Sequence, residues 1–246
     1  MRLDAYAASD VGLVRKSNQD AIGSFPDLQL FVVADGMGGH ADGEVASRLA
    51  VEAVHGFFAD GSAAPAAASD LERLKLAVER AHGRIQDEAQ RCHQSPGARS
   101  LGTTVVALKL TPADQLASWV HVGDSRLYRL RGGELALLTA DHTYFGHEYL
   151  NQEVIPTSLP HTNQLVQALG IEGAVDVAAA ASPWQVGDLF LLCSDGISGQ
   201  LDVATLQAQL AARGDLQSIG DALLRAARDA GGKDNASGIL VRVSDA

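Results

Sequence analysis

The sequence predicts an α+β fold of mostly antiparallel strands, with helices packed on the outside of a sandwich. Two observations carry this. The first is element order: a strand pair at the start, two long helices, a block of hairpin-linked strands, two more helices and a last strand. That is not the strict strand–helix alternation a parallel sheet requires. The second is the turn Arg131-Gly132-Gly133-Glu134, whose paired glycines suit a tight hairpin between antiparallel strands.

Taken in order, strand-like runs cover Leu30 to Ala34, Thr103 to Leu110, Ala117 to Val122, Leu127 to Leu130, Glu134 to Leu138, Asp188 to Cys193 and Ile239 to Val243. A helix is predicted over about Gly43 to Phe58, where Val45, Leu49, Ala53 and Phe57 recur at helical spacing and Asp60-Gly61 stops the run. A second spans about Asp70 to Cys92, with Leu71, Leu74, Val78, Ala81, Ile85 and Ala89 on one face and Asp70 as N-cap. Two more are expected near Asp202 to Arg213 and Leu216 to Ala230. Between the first two helices, Asp60 to Ser69 reads as a surface loop.

Composition narrows the function. The 246 residues are 46% hydrophobic, enough for a substantial core in one large domain or two small ones. A formal net charge of −11 disfavours nucleic acid or an anionic membrane as partner, because phosphate neutralisation needs Lys and Arg. No apolar run is long enough to span a bilayer. The start, Met1-Arg2-Leu3-Asp4-Ala5, does not read as a signal peptide. Cys92 and Cys193 make neither a disulfide framework nor a zinc motif, so a reducing cytoplasmic location is expected.

The most informative pattern is a repeated ending. An apolar strand runs directly into Asp beside a small residue at Val33-Ala34-Asp35-Gly36, at Val122-Gly123-Asp124-Ser125 and at Cys193-Ser194-Asp195-Gly196. A fourth acid, Asp234, follows Gly231-Gly232-Lys233 just before the last strand. A single Asp-Gly is usually an ordinary turn. Four such acids against the most apolar strands are costly unless compensated, and hard cations are the natural compensation. Oxygen ligands of this kind select magnesium, manganese or calcium over zinc.

Other patterns fail on context. Gly36-Met37-Gly38-Gly39-His40-Ala41 fits a dinucleotide fingerprint, but Asp35 would repel a pyrophosphate and the parallel βαβ unit is missing. Ala227 and Asp234 break a phosphate-binding loop at Gly231-Gly232-Lys233, and Leu127 breaks a serine-hydrolase elbow after Ser125. His142, His147 and Glu148 read as a solvated cluster, since Asn151 breaks a zinc-helix pattern.

With the four aspartates in view, the chain resembles the metal-dependent protein phosphatases of type 2C, in their short bacterial, catalytic-domain-only form. The matching motifs are Asp10-Val11-Gly12 through Arg15-Lys16-Ser17-Asn18-Gln19-Asp20, Val33-Ala34-Asp35-Gly36-Met37-Gly38-Gly39-His40, Leu101-Gly102-Thr103-Thr104, His121-Val122-Gly123-Asp124-Ser125-Arg126, Asp141-His142-Thr143, Cys193-Ser194-Asp195-Gly196 and Gly231-Gly232-Lys233-Asp234-Asn235. The resemblance implies a four-layer α-β-β-α sandwich, one catalytic domain over residues 1–246 and a short flap at about 144–169. It implies two core Mn²⁺ or Mg²⁺ ions and a third, looser one. Asp35 would bridge the core ions with the Gly36 carbonyl as a further ligand, Asp195 and Asp234 would complete the first shell, and Asp124 would join Asp195 at the third ion. Arg15 would hold the substrate phosphate and His40 would stand near the leaving group. Asp20 would orient metal-bound water, with Gln19 and Asn235 in the outer sphere. Many members carry Glu where this chain has Gln19, whose neutral amide supplies no charge.

The resemblance implies a phosphoserine/phosphothreonine protein phosphatase that uses a metal-activated water. It would act as a cytoplasmic monomer on phosphoproteins and oppose a bacterial Ser/Thr kinase, by analogy in pathways such as type VI secretion. Rival readings are a phosphoprotein-binding pseudophosphatase without catalysis and a small-molecule phosphoesterase.

Overall fold

The computed structural model describes residues 2–38, 42–61, 68–93, 101–144 and 164–245. Strands β1 (Arg2–Asp10), β2 (Asp20–Phe25) and β3 (Leu30–Met37) precede helices α1 (Asp42–Ala59) and α2 (Asp70–His93). The strand block follows as β4 (Gly102–Thr103), β5 (Val105–Thr111), β6 (Leu116–Val122), β7 (Arg126–Arg131) and β8 (Glu134–Leu137). After the segment of the expected flap come β9 (Ala178–Pro183), β10 (Leu189–Cys193), the one-turn α3 (Asp195–Ser198), α4 (Val203–Leu210), α5 (Leu216–Asp229) and β11 (Ala236–Ser244).

The strands form two antiparallel sheets, one ordered β1-β11-β10-β7-β8 and the other β2-β3-β5-β6-β9, with β4 on the end of β3. Side-chain alternation explains the layering. Along β3, Phe31 and Val33 face the other sheet, where they join Val106, Leu108, Phe190, Leu192, Ile239 and Val241 in the central core. Leu30, Val32 and Ala34 face the opposite way, under α1 and α2 with Val54, Phe57, Val78 and Ile85. Leu189, Leu191 and Leu240 meet Leu206, Ile219 and Leu223 of α4 and α5 on the far side. Three cores between four layers give the expected α-β-β-α sandwich. Central strands covered on both faces also explain why their sequences read as continuous apolar runs.

Several elements differ from expectation. β1, β2 and β9 were not resolved by apolar patterning, because Ala, Ser and Asp dilute it: β9 reads Ala178-Ala179-Ala180-Ala181-Ser182-Pro183 and is largely exposed. The N-cap of α2 is Ser69, not Asp70. Ser69 and Glu72 form a reciprocal capping box, with Ser69 N–H donating to Glu72 Oε2 at 2.8 Å and Glu72 N–H to Ser69 Oγ at 3.3 Å. Asp70 instead accepts from Thr111 Oγ1 at 2.5 Å. The run from Thr103 to Leu110 is split at Thr104, and α4 ends at Leu210. No helix among the described residues is long and apolar enough to cross a membrane.

Phe190 is fully buried between the sheets. Phe190→Ala should cost about 3–5 kcal/mol, read as a fall in the urea midpoint, and a loss under about 1 kcal/mol would contradict the central-core assignment.

Candidate metal and phosphate site

Antiparallel pairing brings the acids to one end of the sandwich. Asp35 lies near the end of β3, Asp20 opens β2 directly opposite it, Asp124 follows β6, Asp195 follows β10 and Asp234 precedes β11. Arg15, Gln19, Asp35, Gly36, Thr104, Asp124, Leu165, Asp195, Asp234 and Asn235 line one cleft of about 240 Å³.

The local backbone explains the placement. The Asp35 carbonyl accepts from Thr104 N–H at 2.9 Å and from Thr103 Oγ1 at 2.9 Å, while Asp35 N–H donates to Thr104 Oγ1 at 3.0 Å. Thr104 Oγ1 and Ser125 Oγ share a 2.6 Å hydrogen bond, which ties the Asp35 strand to the Asp124 turn. Gly36 donates its N–H to the Gln19 carbonyl at 3.1 Å, and a Cβ on Gly36 would collide with the Gly43 carbonyl. A Cβ on Gly196 would likewise strike the Asn235 carbonyl. Both glycines that follow site aspartates are therefore required by close backbone approach.

The carboxylates are destabilised as anions. Burial pushes Asp35 well above the usual carboxylate range, reinforced by the charges of Asp20, Asp195 and Asp124. Burial raises Asp20 to about 7 against the lowering hydrogen bonds from Ser237 and Ser194, and the charges of Asp195 and Asp234 add to the rise. Burial and the Asp195 charge raise Asp124 to about 7. Asp195 rises for the same first cause, with Asp234 beside it. Asp20 Oδ1 and Asp195 Oδ1 are buried with no hydrogen-bond partner among the described residues.

These residues fit a divalent hard cation: all-oxygen donors, unspent buried lone pairs and repulsion that positive charge would relieve. Among the described residues, no three His, Cys, Asp or Glu side chains alone converge on one point as a ready-made ion cage. The donor chemistry weighs more here, since magnesium-type ions keep several waters and need few carboxylates.

Each expected residue has a defined place. Arg15 Nη2 donates to Asp234 Oδ2 at 2.7 Å, and the guanidinium is half exposed at the cleft mouth. Asn235 is buried and stitches the loop before β2: its Nδ2 donates to the Val11 and Ser17 carbonyls at 2.9 and 3.0 Å, and its Oδ1 accepts from Gln19 N–H at 2.8 Å. Its amide serves the scaffold, holding the segment that carries Arg15 and Gln19. Asp20 Oδ2 accepts from Ser194 Oγ at 2.8 Å. His40 lies outside the described residues, as do His147, Glu148 and most of the expected flap, 145–163. His142, expected in a solvated cluster, is half-buried with its ring 4.7 Å from that of His121.

Sequence reasoning missed Ser194, the positioning role of Thr103 and Thr104, and the Arg126–Asp141 pair. Arg126 Nη2 donates to Asp141 Oδ2 at 2.6 Å and Nε to Oδ1 at 2.9 Å, locking the Asp124 turn to the Asp141-His142-Thr143 segment. Burial pushes the Cys193 thiol up to about 12, so it supplies no thiolate nucleophile.

Residues 14–240 match the family model described as Protein phosphatase 2C. The chain belongs to the protein phosphatase 2C family. It is 32% identical to the serine/threonine phosphatase stp of Listeria innocua, over 97% of this chain and 95% of that one. The catalytic domain of the serine/threonine protein phosphatase PstP, solved in complex with two manganese ions, superposes with a TM-score of 0.85 at 31% identity, covering 99% of each chain. PppA of Pseudomonas aeruginosa, described as a key regulatory component of its T6SS, gives a TM-score of 0.83 at 33% identity over 98% of each chain.

Asn235→Ala removes three partly buried hydrogen bonds and should lower stability by about 1–3 kcal/mol. Hydrogen exchange should quicken across residues 11–19 in particular. Unchanged exchange there would remove Asn235 from its scaffold role.

Proposed function

We propose that this protein phosphatase hydrolyses phosphoserine and phosphothreonine in proteins with Mn²⁺ or Mg²⁺ as cofactor. The observation that carries the reading is the convergence of Asp35, Asp124, Asp195 and Asp234 on one cleft with Arg15 at its mouth. Asp35, the Gly36 carbonyl, Asp195 and Asp234 would hold two core ions, and Asp124 with Asp195 a third. Bound there, the ions lower the pKa of water and neutralise charge on the phosphate.

The remaining steps belong to the chain's own groups. Arg15 engages the phosphate through its planar fork, which a Lys could not reproduce. Its partner Asp234 fixes the guanidinium and, with Asp35 and Asp195, keeps it firmly protonated. Asp20, held by Ser194, keeps one carboxylate oxygen unspent and can orient water in the cleft. Gln19 offers an amide in place of a carboxylate, so it orients without adding charge. Residues 1–246 act as one catalytic unit, and the substrates are phosphoproteins produced by a Ser/Thr kinase in the same bacterial cytoplasm.

The test is hydrolysis of a phosphothreonine peptide and of p-nitrophenyl phosphate, with Mn²⁺ and with EDTA. Activity should require the metal, and full activity in EDTA would sink the reading. Mn²⁺ should also raise the melting temperature, because an ion bound only by the folded state stabilises it. Asp35→Asn should lower kcat by about 10²–10³, the scale of a lost electrostatic element. Arg15→Ala should chiefly raise KM, since the phosphate is met before the chemical step.

A further inference from the structure

The loop that carries Arg15 shows an apolar face to solvent. Among the described residues nine large hydrophobic side chains are exposed, and five of them stand in the two segments bordering the cleft: Val11, Leu13 and Val14 on one side, Tyr144 and Val166 on the other. The other four, Leu76, Leu137, Val186 and Val203, stand in four separate segments of the sequence, and single exposed apolar residues are ordinary. Leu13 and Val14 are 57% and 66% exposed and directly precede Arg15. Val166 follows Leu165, which lines the same cleft as Arg15. Val166 N–H is tied to the His142 carbonyl at 2.9 Å.

Loose packing does not account for this exposure. Leu13 N–H donates to the Gly232 carbonyl at 2.7 Å, Gly12 N–H to Asp10 Oδ1 at 2.7 Å, and Asn235 grips the Val11 and Ser17 carbonyls. Gly12 has a positive φ of 80°, and a Cβ there would strike the Asp234 carbonyl. The backbone is fixed hard against the Asp234 turn while the Leu13 and Val14 side chains stay more than half exposed. An apolar surface held in place beforehand costs little entropy when a partner covers it.

We propose that Leu13 and Val14 form an apolar subsite for the substrate residues beside the phosphorylated one, favouring large aliphatic or aromatic neighbours over acidic ones. This rests on the phosphatase reading above. Continuity with the cleft identifies the occupant: a chain whose phosphate meets Arg15 lies within reach of the adjoining Val14 and Leu13. Desolvation sets the second half of the preference. A Glu side chain covering Leu13 or Val14 would give up water for an apolar surface that offers it no hydrogen bond, and the chain's net charge of −11 does not favour an acidic peptide.

The test uses the full chain with Mn²⁺ and three phosphothreonine peptides, identical except for Leu, Ser or Glu on either side of the phosphoresidue. Each is normalised to p-nitrophenyl phosphate turnover by the same protein. In the natural sequence, kcat/KM for the Leu-flanked peptide should exceed that for the Ser-flanked one by about tenfold or more, chiefly through KM, and the Glu-flanked peptide should be the poorest. The double variant Leu13→Ser, Val14→Ser should bring the Leu-to-Ser ratio to about twofold or less. Val14→Thr, which keeps the branched shape but adds a hydroxyl, should lower the ratio in a folded protein by about 2–5-fold if the paired change does not fold. A Leu-to-Ser ratio near one in the natural sequence, or a ratio unchanged in both variants, overturns the subsite while p-nitrophenyl phosphate turnover keeps the phosphatase reading standing. No metal-dependent turnover of any substrate overturns both.

Discussion

Two carboxylates stand face to face on paired strands at one end of the sandwich. Asp20 and Asp35 are register partners across β2 and β3, both half-buried, and the Asp20 charge adds to the difficulty of ionising Asp35. Asp124, Asp195 and Asp234 then close on the same space from β6, β10 and β11. Left to itself such an arrangement would fly apart or protonate. Much of the surrounding structure is explained by what holds it together.

Restraint is supplied by neutral groups. Thr103 and Thr104 fix the backbone at Asp35, Ser125 ties Thr104 to the Asp124 turn, Ser194 holds Asp20, and Asn235 pins the loop before β2. Hydroxyls and amides position the acids without neutralising them, so the demand for positive charge in the cleft remains. Arg126, the cation two residues beyond Asp124, spends itself on Asp141 instead. A scaffold that fixes acids and leaves most of their charge unanswered, with Arg15 meeting part of it through Asp234, suits a cation that must bind, carry out chemistry and exchange. Behind it, three stacked cores keep five strand ends in register, and that rigidity is what the repulsion is borne against.

Asp35, Asp124 and Asp195 were legible because each ends a run of buried apolar residues, where a charged side chain has few explanations, and Asp234 because it stands between a glycine turn and the last apolar strand. The central strands were legible for the same reason. β1, β2 and β9 were not, since half-buried edge positions admit Ala, Ser and Asp and leave no clean period. The Asp70 cap failed because Ser69 and Glu72 satisfy each other, a reciprocal pairing that one residue's propensity does not reveal. Thr104, Ser194 and Asn235 carry no signal by themselves. Their roles come from partners 69, 174 and as many as 224 residues away, and only the antiparallel register supplies those distances.

Arg15 joins these themes. Its ion pair with Asp234 is half exposed, so it contributes little to stability by itself. Its value lies in position. The loop bearing it is fastened by Asn235 and by Gly232, on either side of Asp234, so the guanidinium and the carboxylate it pairs with move as one body. A cation anchored this way can meet a dianion at the mouth without swinging into the acids behind it. The same anchorage holds Leu13 and Val14 outward beside it. Charge recognition and the surface next to it are therefore two consequences of one constraint, the tight seat of residues 11–17 on the turn that ends in Asp234.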